Sequence, residues 1–210
     1  MRHSLRGKRN TREFERVGLR LHLRRLQAQA GDVNLLFVDE TDALNVPYLA
    51  RVWARQGRDL RVEAPGKVKR RCLSGAQDSR DGSLLAHLSR TKKTQDFLSL
   101  LGLIETKYGP REEGEARPAV VVVLDNGPSH TSHATRKALE ARSSWLSVEW
   151  LPKFSPELND IERDWRLLKR RYLGNRNYAH EGDLERSIIA ALARLNADRE
   201  VTRGQGMSVT

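Results

Sequence analysis

The spacing of apolar residues along the chain predicts an alternation of helices and strands. Phe14, Val17 and Leu21, with Leu19, Leu23 and Leu26 beside them, recur at three- and four-residue steps, the signature of an amphipathic helix ending near Gly31. "VNLLFVDE" is a short apolar run that ends in acids and reads as a strand. "RVWARQG" suggests a turn ahead of a weaker strand from Asp59 to Glu63. "RRCLSGAQ" and "SLLAHLS" flank an Asp-Gly turn signal and predict a hairpin. Thr94 is placed to cap a helix whose apolar face is Phe97, Leu100, Leu101, Ile104 and Tyr108.

The run "AVVVVLD" is continuously apolar and β-branched, which predicts a strand buried on both faces, as in the centre of a parallel sheet. A helix starting at Thr131 or Ser132 and running through Trp145 follows, then a fifth strand in "LSVEWLP". Leu158, Ile161, Trp165, Leu168 and Tyr172 mark one face of the next helix. Leu184, Ile188, Leu192 and Leu195 mark the last, beginning near Asp183. The expected fold class is α/β, a mixed five-stranded sheet flanked by helices. The domain expectation is a basic tail and linker helix over 1–32, a sheet-bearing domain over 33–198, and a loose tail over 199–210. "REEGEARP" reads as an exposed loop. Trp53, Trp150 and Trp165 are read as packing residues.

Composition narrows the function. The chain has 210 residues and a formal net charge of +11, from 38 Lys and Arg against 27 Asp and Glu. Such an excess favours a polyanionic partner, most simply nucleic acid. Residues 1–30 hold nine of the basic residues and two Glu, and residues 1–12 are either a solvated tail or a DNA contact. A lone cysteine, Cys72, excludes an internal disulfide and fits a reducing compartment. No apolar run has the length of a membrane span.

The acids at the strand ends carry the candidate chemistry. Asp125 closes the Val120–Leu124 run, and Asp39 lies late in "LLFVDE". Ligands of open α/β sheets collect at the carboxyl ends of parallel strands. Each acid alone is also a good turn residue, since Asp-Asn-Gly favours a turn. A third acid, Glu162, sits at the edge of the Ile161/Trp165/Leu168 stripe, where it either points into the same crevice or complements the helix N-terminus. Three convergent carboxylates repel unless cations lie between them. All-oxygen ligands suit Mg²⁺ or Mn²⁺, and two such ions favour phosphodiester chemistry.

Strand alternation sends Glu40 to the face opposite Asp39, as a supporting acid. His130 and His133 have a metal-like spacing, but no third His or Cys lies near, so zinc is not expected. Arg163, Arg166 and Arg170 share the polar side of the last-strand helix and Lys169 lies near the Glu162 edge. With Asn126 and His130 they are the candidate nucleic-acid contacts. A solvated face, a turn and a plain helix start are the ordinary readings of the same residues.

"FVDET", "PYLARVWARQG", "LDNGPSH" and "LPKFSPELNDIERDWRLLKRR", in that order, resemble the catalytic domain of mariner-type DDE transposases, especially their bacterial insertion-sequence relatives. The resemblance runs from about Val33 to Tyr172, and the 36 residues between Asp125 and Glu162 are close to the spacing in that group. It implies an RNase H-like fold and catalytic, metal-holding roles for Asp39, Asp125 and Glu162 with two Mg²⁺ or Mn²⁺ ions. It further implies cleavage of DNA at terminal inverted repeats, strand transfer to a TA-containing target, a homodimer on DNA, and a nucleoid-associated place in the cytoplasm. Asp160 stands where the family usually has proline. Full-length relatives carry N-terminal helix-turn-helix units, which thirty residues cannot hold. The expectation is thus a lone catalytic domain, a truncated gene, or half of a split transposase with a separate helix-turn-helix chain. A non-cutting DNA-binding relic and a hybrid-cleaving RNase H are the alternatives.

Overall fold

A computed structural model of the chain describes residues 5–49, 51, 53–59, 61, 62, 66–111 and 117–206. Helix α1 (Thr11–Ala30) is followed by strands β1 (Val33–Leu44), β2 (Arg70–Asp78) and β3 (Leu84–Ser89), then helix α2 (Thr94–Tyr108). Strand β4 (Ala119–Leu124), helices α3 (Pro128–Thr131) and α4 (His133–Glu140), and strand β5 (Leu146–Trp150) come next. A 3₁₀ turn (Pro156–Leu158), helix α5 (Ile161–Leu167), a π-helical segment (Leu168–Tyr172) and helix α6 (Glu181–Gly206) complete the order.

The five strands form one mixed sheet in the order β3-β2-β1-β4-β5. The β1–β2 and β2–β3 pairs are antiparallel, while β1–β4 and β4–β5 are parallel. Strand alternation divides the core. Leu35, Phe37, Val121 and Val123 face a layer containing Val17, Leu21, Ile161, Trp165, Leu184, Ile188 and Leu195 from α1, α5 and α6. Leu36, Val38, Val120, Val122 and Leu124 face α2 through Phe97, Leu100, Leu101 and Ile104. Burial on both faces is why β4 is an unbroken apolar run.

Helix α1 belongs to this domain and is not a bare linker. It buries Val17, Leu21 and Ala28, and Gly31 ends it in the left-handed conformation, φ 87°. Leu19, Leu23 and Leu26 lie on its solvent side. Its arginines dock on acids of the second half: Arg20 and Arg24 on Glu149 at 3.2 and 3.3 Å, and Arg25 on Asp160 at 2.8 Å. Arg9 pairs with Glu157 just before the helix.

Several expectations are corrected. Strand β1 continues four residues past Glu40, because β2 pairs with it as far as Leu44. Asp59, Arg61 and Val62 have no regular structure, and residues 60 and 63 lie outside the described residues, so the weak strand is not seen among those described. Trp53 is fully exposed. Lys93, not Thr94, occupies the cap of α2, and its backbone N–H donates to Asp96 Oδ2 at 2.9 Å. The helix after β4 breaks at Ser132, which caps α4 through Thr135 N, and ends at Glu140. Helix α6 extends from Glu181 to Gly206 where a loose tail is expected from residue 199; residues 207–210 lie outside the described residues. Of "REEGEARP", residues 112–116 also lie outside them.

Candidate active site

The register of the central strands places the first two acids. Phe37 of β1 is level with Val123 of β4. Two residues further on come Asp39, mid-way along β1 just beyond its pairing with β4, and Asp125, directly after the last residue of β4. Alternation puts Asp39 on the face of Leu35 and Phe37, the face that α5 covers. Glu162 stands in the first turn of α5, between Ile161 and Asp164. Asp39, Asp125 and Glu162 line one cavity of about 430 Å³, together with Asn126, Gly127, Asn159 and the 151–156 segment.

Three contacts seat α5 over this cavity. Asn159 Nδ2 donates to Val38 O at 3.0 Å, one residue before Asp39. Trp165 lies against Gly75, the β2 residue paired with Asp39; a Cβ on Gly75 would come 2.8 Å from Trp165 Cζ2 and closer still to the ring edge. Arg25 Nη2 and Nε both donate to Asp160 Oδ2, at 2.8 and 3.1 Å. Asp160, in the usual proline's place, makes no side-chain cap. It anchors the helix to α1 instead.

The electrostatics separate the acids. Burial pushes the Asp39 pKa from 3.8 up to about 7; the backbone N–H of Glu40 opposes the shift, and Glu162, Glu40 and Asp125 add to it by repulsion. Asp125 is held below the usual carboxylate range, chiefly by its hydrogen bond to His130, despite partial burial. Its Oδ1 accepts from His130 Nδ1 at 2.7 Å and Gly127 N at 2.9 Å. On the other edge of the same imidazole, Nε2 is 3.0 Å from Glu40 Oε1. Ser129 Oγ donates to that oxygen at 3.2 Å. Burial alone would lower the His130 pKa, but the two carboxylates overcome it and raise it to about 10.

This arrangement corrects one candidate contact. His130 is 0% exposed, so it cannot touch nucleic acid. Asn126 does line the cavity, but its Nδ2 is spent on Leu151 O at 2.7 Å, tying the end of β4 to β5. Lys169 is half-buried and donates to Thr41 Oγ1 at 2.6 Å; burial, together with Lys92, lowers its pKa against the pull of Asp42, Glu162 and Asp39. Arg163, Arg166 and Arg170 are exposed. Arg163 Nη2 lies 3.4 Å from Asp160, and Arg166 Nε donates to Glu162 O at 3.2 Å.

Other lining residues carry no mark in the sequence pattern: Asn159, Lys153 and Phe154. Phe154 holds a φ of 61°, a strained conformation for an aromatic residue, at the cavity wall. The only local signal for that turn is the pair of prolines, Pro152 and Pro156, around it.

The donor set fits a hard divalent cation. Three carboxylates line the cavity, mutual repulsion contributes to the high Asp39 pKa, and the buried Oδ1 of Asn159 has no hydrogen-bond partner among the described residues. Among those residues no three His, Cys, Asp or Glu side chains are drawn into a closed metal-ligating cluster. Mg²⁺ is commonly held through one or two carboxylates with water filling the other positions, so a tight trio is not required.

A family model described as "DDE superfamily endonuclease" matches residues 34–185. Over 134 residues the chain is 27% identical to the "Insertion element IS630 uncharacterized 39 kDa protein" of Shigella sonnei, a match covering 64% of this chain and 37% of that protein. The fold is similar to the Mos1 transposase paired-end complex with left transposon end, at TM-score 0.57 and 17% identity, over 91% of this chain and 61% of that one. It is likewise similar to the mariner Mos1 paired-end complex with Mg, at TM-score 0.57 and 18% identity, over 88% of this chain and 56% of that one. The chain thus spans little more than a third of the curated relative and about three fifths of the solved ones.

Proposed function

Because the chain belongs to the DDE superfamily endonucleases and has their RNase H-like sheet, we propose that its acid-lined cavity cuts and rejoins phosphodiester bonds in DNA. The observation that carries this reading is the convergence of Asp39, Asp125 and Glu162 on one cavity, where the parallel pairing of β1 with β4 ends beneath α5. Asp39, Asp125 and Glu162 hold two divalent ions, Mg²⁺ or Mn²⁺. Bound there, such ions activate an attacking oxygen and stabilise a leaving one.

The chain's own residues supply the rest. His130 and Gly127 fix the Asp125 carboxylate. Asn159 and Trp165 fix the helix that carries Glu162. Phe154, with the prolines on either side, walls the cavity from bulk water. Lys153 at the rim and Arg163, Arg166 and Arg170 on the exposed side of the helix hold phosphates, with Lys169 balancing charge beside the acids and Asn126 shaping the wall. Water attacks phosphorus at an element end and the bond to the 3′-oxygen breaks. The freed 3′-hydroxyl then attacks phosphorus in a TA-containing target strand; the new phosphodiester forms as the bond to that strand's own 3′-oxygen breaks, and the proton lost by the attacking hydroxyl is made good on the leaving 3′-oxygen.

The DNA partners in this reading are terminal inverted repeats and the target, bound by a homodimer with helix-turn-helix units in the same polypeptide or a separate chain. The nucleoid in the cytoplasm is its place of action. No helix among the described residues is long and apolar enough to cross a membrane.

A plasmid nicking assay across Mg²⁺ and Mn²⁺ concentrations tests the reading. Nicking is expected with either ion and is lost with EDTA. Asp125→Asn lowers the rate by at least about a hundredfold, as for removal of a metal-holding group. Nicking by the Asn variant at the unaltered rate overturns the assignment.

A further inference from the structure

We propose that His130 is a positioning residue, pinning one oxygen of Asp125 through Nδ1 so that the other is presented to a divalent cation in the cavity. This rests on the proposed function and assigns it a residue that never meets DNA. The imidazole is enclosed, with Phe97 at 4.7 Å between ring centroids and an interplanar angle of 60°. A buried imidazole needs polar partners on its ring nitrogens, and what sets this one apart is that one of its partners, Asp125, also lines the cavity. Here one lies on each edge: Asp125 Oδ1 at Nδ1, 2.7 Å, and Glu40 Oε1 at Nε2, 3.0 Å.

The division of labour within the Asp125 carboxylate makes this more than an ion pair. Both hydrogen bonds, from Gly127 N and His130 Nδ1, fall on Oδ1. Among the described residues no partner takes Oδ2. Asp125 directly follows a strand and half of its side chain is exposed, and among the described residues these two are the hydrogen bonds that restrain its rotation. The loop is fitted to them. A Cβ on Gly127 would stand 3.0 Å from Asp125 Oδ1 and 3.6 Å from His130 Nδ1, so a side chain there would press on the pair.

Glu40 completes the device. Strand alternation turns it away from Asp39, to the face where Phe97 lies, and there Ser129 Oγ bonds its Oε1, which lies 3.0 Å from Nε2 as an ion-pair partner out of hydrogen-bond alignment. Two neighbouring residues of β1 thus serve one centre from opposite faces of the sheet: Asp39 lines the cavity, and Glu40 braces the group that braces Asp125.

Amide substitutions separate the two edges of the ring. The amide nitrogen of Asn sits where Nδ1 sits and keeps the Asp125 contact, while that of Gln sits where Nε2 sits and keeps only the Glu40 contact. The experiment measures Mn²⁺ affinity by calorimetry on the full chain, with thermal melts alongside. His130→Asn is expected to bind within about threefold of the unaltered chain. His130→Gln and His130→Ala are expected to bind about ten- to a hundredfold more weakly, the range for groups that orient metal ligands. Gln binding as tightly as the unaltered chain, or Asn falling as far as Ala, overturns the proposal.

If the variants do not fold, ¹⁵N-histidine labelling of the unaltered chain decides. The His130 Nδ1 resonance moves on Mg²⁺ saturation if the ring is coupled to the ligand, and an unmoved resonance overturns the coupling. An unaltered chain that binds no Mn²⁺ removes the proposed function and this inference together. Loss of the His130 pattern alone leaves the nicking by Asp39, Asp125 and Glu162 standing.

Discussion

Asp39 is the residue at which function and stability pull apart. Its carboxyl has a pKa of about 7 in the fold against 3.8 ordinarily, with burial as the leading cause. Between those values the folded chain keeps a proton that the unfolded chain has released. The Asp39 contribution to metal-free stability therefore falls as pH rises from about 4 through 7, by on the order of 4 kcal/mol. Asp39→Asn removes the buried charge without changing shape. In EDTA at pH 8 the variant is expected to melt higher than the unaltered chain, and the gap closes below pH 4, where both states of Asp39 are neutral. Mg²⁺ at pH 8 raises the melting temperature of the unaltered chain and leaves that of the variant in place. Melting curves recorded from pH 3.5 to 8 check both; a gap that does not depend on pH shows that the carboxyl is not desolvated as the geometry requires.

At the scale of elements, the site is a helix placed on a sheet, and one glycine sets how closely they meet. Trp165 occupies the space where a side chain at position 75 would stand, one strand over from Asp39. Gly75→Ala forces the indole outward and carries Glu162 with it. A loss of about 1–3 kcal/mol is expected, typical of overpacking, with a nicking rate reduced more than stability alone explains. Adding Trp165→Leu makes room for the new methyl, so the two changes together cost less than their sum; a strictly additive pair shows that the residues are not in contact.

The strands and α5 were readable from the chain because their patterns are local: β-branched runs, and Ile161, Trp165 and Leu168 three or four apart. Their acids followed from strand ends and helix position. What was not readable depends on partners distant in sequence. Gly75 reads as an ordinary weak point in a strand until Trp165 is set against it. His130 reads as a helix-start residue until Glu40, ninety positions earlier, reaches it. The π-helical turn is equally hidden: Leu173 N reaches back five residues to Leu168 O at 3.0 Å, and Gly174 follows because a Cβ there would meet Arg170 O. Trp53, exposed among irregular residues, departs from the packing role that its large apolar ring predicts.

Over the whole molecule, composition announces a polyanionic partner but not where it sits, and the ion pairs narrow the choice. The N-terminal thirty residues hold much of the +11 charge, yet Arg9, Arg20, Arg24 and Arg25 are matched to Glu157, Glu149 and Asp160. Those four arginines dock α1 and its lead-in on β5 and on the segment that enters α5. Near α6, Arg199 is likewise paired with Asp164 and Arg171 with Asp198 at 3.3 Å. Arg163, Arg166 and Arg170 differ: they are exposed and follow Glu162 along α5 and the π-helical segment, and their one ion pair among the described residues is the 3.4 Å contact between Arg163 and an Asp160 that already holds Arg25, with Arg166 bonded only to the Glu162 carbonyl. Each one that meets a phosphate releases counterions on binding, so the slope of log affinity against log salt should fall by about 0.9 for every such arginine replaced by alanine. Arg20→Ala and Arg24→Ala change net charge by the same amount per residue, but they should lower thermal stability and leave the slope within error. Fluorescence anisotropy with a short duplex between 50 and 300 mM salt separates the cases. Equal slope changes from both sets mean that affinity follows net charge alone, and the helix bearing Glu162 then has no special part in holding the DNA.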